Sequence, residues 1–318
     1  TVQGDFERQN TLDYLGVSAK MEKRPAGFFM KFAYADGKTE EFKIERTVGS
    51  GRIEQYVAKQ NGQYFRLPVA YDLMNKRWMS LNGSFFYPDG DNFKQHFTQW
   101  DTNCVFCHNV KAQPNYNFDT KLARTEVSEL GIACGACHAQ GAEHADAAES
   151  PLTRPMWPAK QNAETKIVDP LELDTDRSMM ICGHCHGQRV PEPFDRIRDI
   201  LGKGDPFDAG ADLAKYYRPV HADTSIGQMS FANRFWPDGS PRLTAYEYQG
   251  ITGSSCFIKG EKGKRITCTS CHSMHEGDIK GQITEEKRTN VACTQCHSQL
   301  RDEAALKTHT KHEINSTG

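Results

Sequence analysis

Long apolar runs, excess charge and low-complexity tracts are all missing from this chain of 318 residues. No segment has 18 or more consecutive apolar residues, so no transmembrane segment is predicted. Lysine and arginine number 39 against 41 aspartate and glutamate, a formal net charge of −2, which offers no basic excess for nucleic acid or an anionic membrane. An apolar leader region at Thr1 is also missing, so the sequence is interpreted as a mature product whose signal peptide has been removed.

Cysteine is the residue type that carries the most information. Ten of the eleven cysteines form five Cys-x-x-Cys pairs, and a histidine directly follows each pair. Two thiols at this spacing reach the two vinyl groups of one porphyrin, and the adjacent imidazole ligates the iron, so each motif is a c-type haem attachment signature. The sequence therefore predicts five covalently bound haem c groups, each with its iron. In chain order the motifs are Cys104, Cys107 and His108; Cys134, Cys137 and His138; Cys182, Cys185 and His186; Cys268, Cys271 and His272; and Cys293, Cys296 and His297.

Paired cysteines also occur in zinc sites and in disulfide frameworks. Neither use requires a histidine directly after every second cysteine, so both are the weaker alternatives. Five haems would themselves supply much of the apolar interior, in agreement with a hydrophobic fraction of only 37%. Because bacterial haem attachment takes place outside the cytoplasmic membrane, we expect a periplasmic or extracellular location.

The chain changes character near residue 100. A β-rich N-terminal region over 1–100 is predicted, with strands from about residue 25, hairpins about Asp36-Gly37 and Asn61-Gly62, and an aromatic strand over 78–87. A pentahaem c-type cytochrome domain over 101–318 is predicted to be mainly α-helical or irregular, with helices over 120–130 and 301–312. The long gap over 187–267 is expected to wrap haem edges. The predicted fold class is a multihaem cytochrome c.

The residue at the sixth position of each iron decides what a haem can do. Five of the twelve histidines are proximal ligands, and seven remain for the distal positions. That number is enough for bis-histidine ligation throughout, which favours electron transfer because a six-coordinate iron has no place for substrate. The seven are His96, His144, His184, His221, His275, His309 and His312.

Sequence context ranks these histidines. His144 and His275 follow proximal histidines by offsets too short to return to the same iron, but they can reach a neighbouring haem. His309 and His312 are three residues apart, a spacing that places two side chains on one face of a helix. We expect them to ligate two different irons, or an iron in a neighbouring subunit. His96 stands in an aromatic setting before the first motif.

Three further residues are weaker candidates. His221 is a reserve ligand, and His184, inside the third motif, is expected to face solvent. The eleventh cysteine, Cys256, is expected to be a buried small hydrophobe.

These motifs resemble a family of bacterial multihaem c-type cytochromes, many of which carry tetratricopeptide repeats after the haem region. The resemblance runs from about residue 45 to the end, and its clearest pieces are His96 ahead of Trp100, Cys134 through His144, Cys268 through His275 and His309-Thr310-Lys311-His312. It implies that His96, His144, His275 and the terminal pair are haem ligands.

The chain also departs from this family. Ala139-Gln140-Gly141 stands where the family has Gly-Pro-Gly, and no tetratricopeptide segment follows. Either this member lacks the later haems, or the sequence is part of a longer chain.

Electron transfer in periplasmic or extracellular respiration is the leading hypothesis, with an electron carrier favoured over an enzyme. Its partners would be redox proteins or an extracellular electron acceptor. One alternative is a reductase or dehydrogenase of a small nitrogen or sulfur compound at one five-coordinate haem, although the lysine-ligated C-x-x-C-K motif of periplasmic nitrite reductases is missing. Another is a homo-oligomer or filament subunit whose terminal histidines complete haems in the next copy.

Overall fold

The computed structural model describes residues 2–49, 51–82, 84, 90–139, 141–149, 167–261, 265–275 and 282–312. The chain divides into two compact units, Thr1–Ile266 and Thr267–Gly318. Among the helices described, none has the length and apolar character needed to cross a membrane.

A curled antiparallel sheet forms the N-terminal part of the first unit. Its first seven strands follow chain order: β1 Thr11–Tyr14, β2 Val17–Arg24, β3 Gly27–Tyr34, β4 Thr39–Val48, β5 Ile53–Gln60, β6 Gln63–Asp72 and β7 Arg77–Ser80. The short strand β8, Thr98–Gln99, pairs with β6. β1 also contacts β7, so the sheet nearly closes on itself.

This sheet confirms the predicted β-rich region and both predicted hairpins. It begins earlier than expected, because β1 and β2 precede residue 25. The predicted strand over 78–87 is seen only in part, since β7 ends at Ser80 and residues 83 and 85–87 lie outside the described residues.

Alternating side chains fill the inside of the curl, as a half-buried sheet requires. The buried positions of β2 and β3 alternate with exposed ones. Within this core, the ring of Phe6 packs edge-on against Tyr56 and Trp78, with ring centroids 5.5 and 5.0 Å away. This core holds β6 in place, and β6 carries the pairing with β8 that leads into the first haem motif.

After β8 the first unit becomes helical and irregular, as expected. Its further elements are α1 Val105–His108, β9 Asn109–Val110, β10 Glu129–Leu130, α2 Gly135–His138, α3 Ala142–Glu149, α4 Thr175–His186, β11 Arg189–Pro191, α5 Ile197–Lys203, β12 Tyr217–Pro219, β13 Ser225–Ile226, β14 Met229–Ser230, α6 Glu247–Thr252 and α7 Ser255–Ile258.

The helix predicted over 120–130 is wrong. The side chain of Gln63 donates to the carbonyl of Ala123 at 3.1 Å and accepts from its N–H at 2.7 Å. Gln113 and Glu126 pair as an antiparallel bridge. These contacts hold the segment extended, so its backbone groups cannot bond within a helix.

The segment over 187–266 belongs to the first unit and has apolar clusters of its own. It contains a two-stranded pair of β11 with β12, which closes a loop that includes α5, and a small hairpin of β13 with β14. One cluster contains Val190, Val220, Phe231, Phe235 and Tyr246, and another contains Ile200, Phe207, Leu213 and Tyr217. That this segment wraps haem edges stays a prediction.

The second unit is small and mostly made of single turns. The α-helices among its described residues are α8 Val291–Thr294 and α9 Glu303–Thr310. α9 confirms the predicted C-terminal helix, but Lys311 adopts a left-handed conformation with φ 62° and ends it. The predicted placement of His309 and His312 on one helical face is therefore wrong, because His312 lies beyond the helix.

Candidate haem attachment sites

Each of the five motifs forms a turn of helix. The histidine N–H donates to the carbonyl of the first cysteine in the second, fourth and fifth motifs, at 2.9, 2.9 and 3.0 Å. The first motif ends in α1, and the third forms the last turn of α4. Residues at i, i+3 and i+4 share one face of a helical turn. Both thiols and the imidazole therefore come from one side, as attachment of a single porphyrin requires.

The chemistry of these side chains also fits thioether attachment. No disulfide bond joins any of the eleven cysteines. Across the described ranges, no three His, Cys, Asp or Glu side chains converge as they would around a metal ion held by protein alone. A disulfide framework needs bonded sulfur pairs and a zinc site needs such convergence, so the described geometry supports neither alternative.

His138 of the second motif is oriented for ligation. Its Nδ1 lies 2.6 Å from the carbonyl oxygen of Val168. A carbonyl only accepts, so Nδ1 carries the proton and donates it, which leaves the lone pair on Nε2. A backbone carbonyl on the second ring nitrogen is a common way of orienting a metal-ligating histidine.

His186 of the third motif has an anionic partner instead. Its Nδ1 lies 3.5 Å from Oε2 of Glu247, and this carboxylate raises the pKa of His186. Glu247 comes from α6, and this helix packs closely on α4. The ring of Tyr248 in α6 lies so near Gly183 in α4 that a Cβ at Gly183 would overlap it. Gly183 inside the motif thus permits the contact that brings α6 beside the ligand.

The first three motifs meet at α4. The Cys107 thiol interacts with the Cys185 thiol, and their shared hydrogen bond lowers the pKa of Cys107 and raises that of Cys185. Burial and the neighbouring Cys182 raise the pKa of Cys137. α4 also contacts both α1 and α2. In space the third motif therefore adjoins both the first and the second, an arrangement that chain order does not suggest.

The second unit carries the four thiols of the last two motifs. Cys268 and Cys271 of the fourth motif are half-buried, whereas Cys293 and Cys296 of the fifth motif are exposed. The N–H of Cys271 donates to the carbonyl of Cys268, and the N–H of Cys296 donates to that of Cys293, each at 3.2 Å. Both pairs therefore have the tight turn that the motif needs. That these four cysteines attach haem stays a prediction.

His184 does not face solvent, so that expectation is wrong. Its side chain is 15% exposed, its Nε2 lies 2.8 Å from Oδ2 of Asp205, and its ring stacks on Phe207 with centroids 4.7 Å apart. Burial and the charge of Arg189 lower the pKa of His184, so the neutral imidazole donates its Nε2–H to the carboxylate. The loop after α5 folds over this face of the motif and covers it.

Asp205 is the anion of this buried cluster. Arg189 contacts it at 3.4 Å and also donates to the carbonyl of His184. Burial opposes its ionisation, but the hydrogen bond from His184 and the charge of Arg189 hold the pKa of Asp205 well below its usual range. The cluster joins the third motif to the chain that follows it.

The candidate distal histidines differ in exposure. In the first unit, His96 and His144 are half-buried and His221 is exposed. In the second unit, His275, His309 and His312 are exposed. Which iron each would ligate stays a prediction. Cys256 lies in α7 and is exposed, so its expected burial is wrong.

Four residues near the motifs escaped the sequence analysis: Arg66, Arg189, Asp205 and Glu247. Arg66 carries one visible signal, because a charged residue interrupts the apolar strand β6. Asp205 and Glu247 carry none, since their importance depends on how distant segments pack on α4.

Comparison with known proteins supports the haem motifs. A family model for the doubled CXXCH motif matches residues 261–302, which include the fourth and fifth motifs. The crystal structure of the outer cell wall cytochrome OcwA is similar to this chain, with a TM-score of 0.49 and 18% sequence identity over 80% of this chain and 55% of that one. The present chain thus spans about half the length of OcwA. No curated protein matches. The doubled motif and the helical turns together support a multihaem cytochrome that binds haem c.

Proposed function

We propose that this chain transfers electrons through five covalently bound haem c groups, most of them ligated by two histidines. The packing of α4 against α1 and α2 carries the proposal. It brings Cys185 beside Cys107 and Cys182 near Cys137. Because the rate of electron tunnelling falls steeply with distance, neighbouring attachment sites favour rapid exchange between the groups they hold.

The residues of the chain have distinct roles in this proposal. The porphyrins are attached by the ten motif cysteines, namely Cys104, Cys107, Cys134, Cys137, Cys182, Cys185, Cys268, Cys271, Cys293 and Cys296. The irons are bound from one side by His108, His138, His186, His272 and His297. They are bound from the other side by His96, His144, His275, His309 and His312, with His221 in reserve. The iron supplies one-electron chemistry, and the protein sets its ligands, burial and neighbouring charges.

The cofactor also indicates where in the cell the protein works. Covalent haem attachment outside the cytoplasm supports a periplasmic or extracellular protein, with redox proteins or an extracellular acceptor as partners. The β-rich region over 1–100 would then stabilise the pentahaem region over 101–318, since β8 of its sheet leads directly into the first motif.

Intact mass and electron paramagnetic resonance of the oxidised holoprotein test the proposal. We expect a mass above the 35.8 kDa polypeptide by five haems, and low-spin signals from most of the irons. Fewer than five haems in fully matured protein would contradict the count. A strong high-spin signal would instead favour a reductase or dehydrogenase with one five-coordinate iron.

A further inference from the structure

The proximal histidines of the first three motifs have neighbours of different charge. Burial and the nearby guanidinium of Arg66 lower the pKa of His108. Nδ1 of His138 lies 2.6 Å from a neutral backbone carbonyl oxygen, whereas Nδ1 of His186 lies 3.5 Å from Oε2 of Glu247. When Nε2 ligates an iron, the proton is on Nδ1 and is donated to the group that faces it. The third motif therefore offers its ligand an anion where the second offers a neutral acceptor.

Contacts within and beside α6 hold Glu247 in this position. Its other carboxylate oxygen, Oε1, accepts from the N–H of Ala245 at 3.3 Å. Two residues along the same helix, Gln249 is buried, and its Nε2 donates to the carbonyl of Gln188 at 2.6 Å. Gln188 follows the third motif by two residues, so this bond fastens α6 beside the end of α4. The carboxylate is thus fixed at one oxygen and turns the other toward His186.

The length and exposure of this contact decide how the charge can act on the iron. Nδ1 and Oε2 are at the outer limit of hydrogen-bonding distance, and the Glu247 side chain is 52% exposed, so water screens its charge over longer distances. The carboxylate must therefore act through the imidazole that it faces. A carboxylate on the second ring nitrogen makes the ligand more basic. A more basic imidazole stabilises ferric iron over ferrous iron, and hydrogen bonding around the ligands is one of the means by which a protein sets a haem potential.

We infer that Glu247 lowers the reduction potential of the haem in the third motif by accepting the Nδ1–H of His186, an inference that rests on the proposed function. Glu247 is a positioning residue, since it acts through the ligand. The Val168 carbonyl beside His138 has no full charge, so it cannot lower the potential of the second haem to the same degree. Because the third motif adjoins the first and the second, a low potential at its haem favours passage of electrons from it to these neighbours.

The test compares Glu247→Gln, which removes the charge but keeps the shape of the side chain, with Glu192→Gln. Glu192 is the matched control, because it is a similarly exposed glutamate of the first unit and pairs with Arg218. A double variant, Cys182→Ala with Cys185→Ala, identifies by its loss the redox component that belongs to the third haem. We expect Glu247→Gln to keep five haems, to raise the potential of that component alone, and to shift the g values of its low-spin electron paramagnetic resonance signal. Glu192→Gln should change neither.

Unchanged potentials and g values in Glu247→Gln, with five haems bound, would overturn the inference alone. Equal changes in Glu192→Gln would show a general charge effect and would also overturn it. If Glu247→Gln does not fold, Glu247→Ala is measured in its place, with the same rise expected and the same unchanged result against it. If the double cysteine variant does not fold, a rise in one redox component of Glu247→Gln still supports the inference, and a rise in none overturns it. If that double variant kept all its haems, the proposed function itself would fail at this motif.

Discussion

His184, which lies inside the third haem motif, forms a largely buried pair with Asp205, with 2.8 Å between Nε2 and Oδ2. Arg189 completes the cluster through Asp205, and its guanidinium lies 4.6 Å from the ring of Tyr217. The contact joins residues 21 positions apart in the chain. It fixes the last turn of α4, from which Cys185 and His186 project.

Substitution of Asp205 by Asn should destabilise the protein strongly. Asparagine preserves the shape of the side chain but leaves Arg189 buried without its anion, and removing one partner of a buried ion pair costs about 3–5 kcal/mol. Urea denaturation of the holoprotein measures the loss. Asp199→Asn is the control, because its pair with Lys203 is exposed to solvent and should contribute little to stability. Equal losses in the two variants would contradict a special role for Asp205.

The same cluster predicts a pH dependence of stability. The pKa values of Asp205 and His184 are both lowered in the folded state. A group with a lowered pKa stabilises the fold above its unfolded pKa, about 3.9 for aspartate and about 6.5 for histidine, and this contribution is lost as the pH falls. The free energy of unfolding should therefore decrease on acidification, and the part lost below about pH 4, which belongs to the carboxylate, should be missing in Asp205→Asn. Parallel curves for wild type and variant below about pH 4 would contradict this assignment.

The hairpins were predictable because their signals are local. Apolar alternation flanks each turn, and Asn61 and Gly62 both have positive φ, 50° and 80°, as a tight two-residue hairpin turn requires. The five haem motifs were predictable for the same reason, since each lies within five consecutive residues. Everything that the motif needs to attach its porphyrin is in the sequence itself.

The features that the sequence did not predict depend on contacts between residues that are distant in the chain. The false helix over 120–130 has a helical pattern, but Gln63, 60 residues away from Ala123, holds that segment extended. His184 looked exposed because Asp205 and Phe207 are not its neighbours in sequence. The meeting of three motifs at α4 likewise arises from packing between helices. The spacing of residues in the sequence could not have predicted that these three motifs meet.

Replacement of His144 or His275 by Ala should turn one haem high-spin in each variant without loss of cofactor. Thioether attachment does not depend on the distal ligand, so intact mass should still show all the haems. Optical and electron paramagnetic resonance spectra report the spin state. His221→Ala is the control, since this exposed residue is the reserve ligand and its loss should leave the spectrum low-spin. Unchanged spectra in both test variants would remove His144 and His275 from the ligand set.

The C-terminal histidines lead to the last prediction. His309 lies in α9, and His312 follows the left-handed Lys311 that ends this helix. Because the helix ends between the two histidines, their imidazoles do not share a helical face. We expect them to bind two different irons, within this chain or in a neighbouring copy.

Truncation before Lys307 removes both histidines and should make one or two haems high-spin and accessible to carbon monoxide. The matched control ends after His312 and removes only residues 313–318, so it should stay low-spin. Single His309→Ala and His312→Ala variants would then divide the effect between two irons, each giving one high-spin haem. If the truncated protein stayed low-spin at every haem, the terminal pair would not be ligands. The distal assignment would then move to His221 alone, because the Nε2 of His184 is already committed to Asp205.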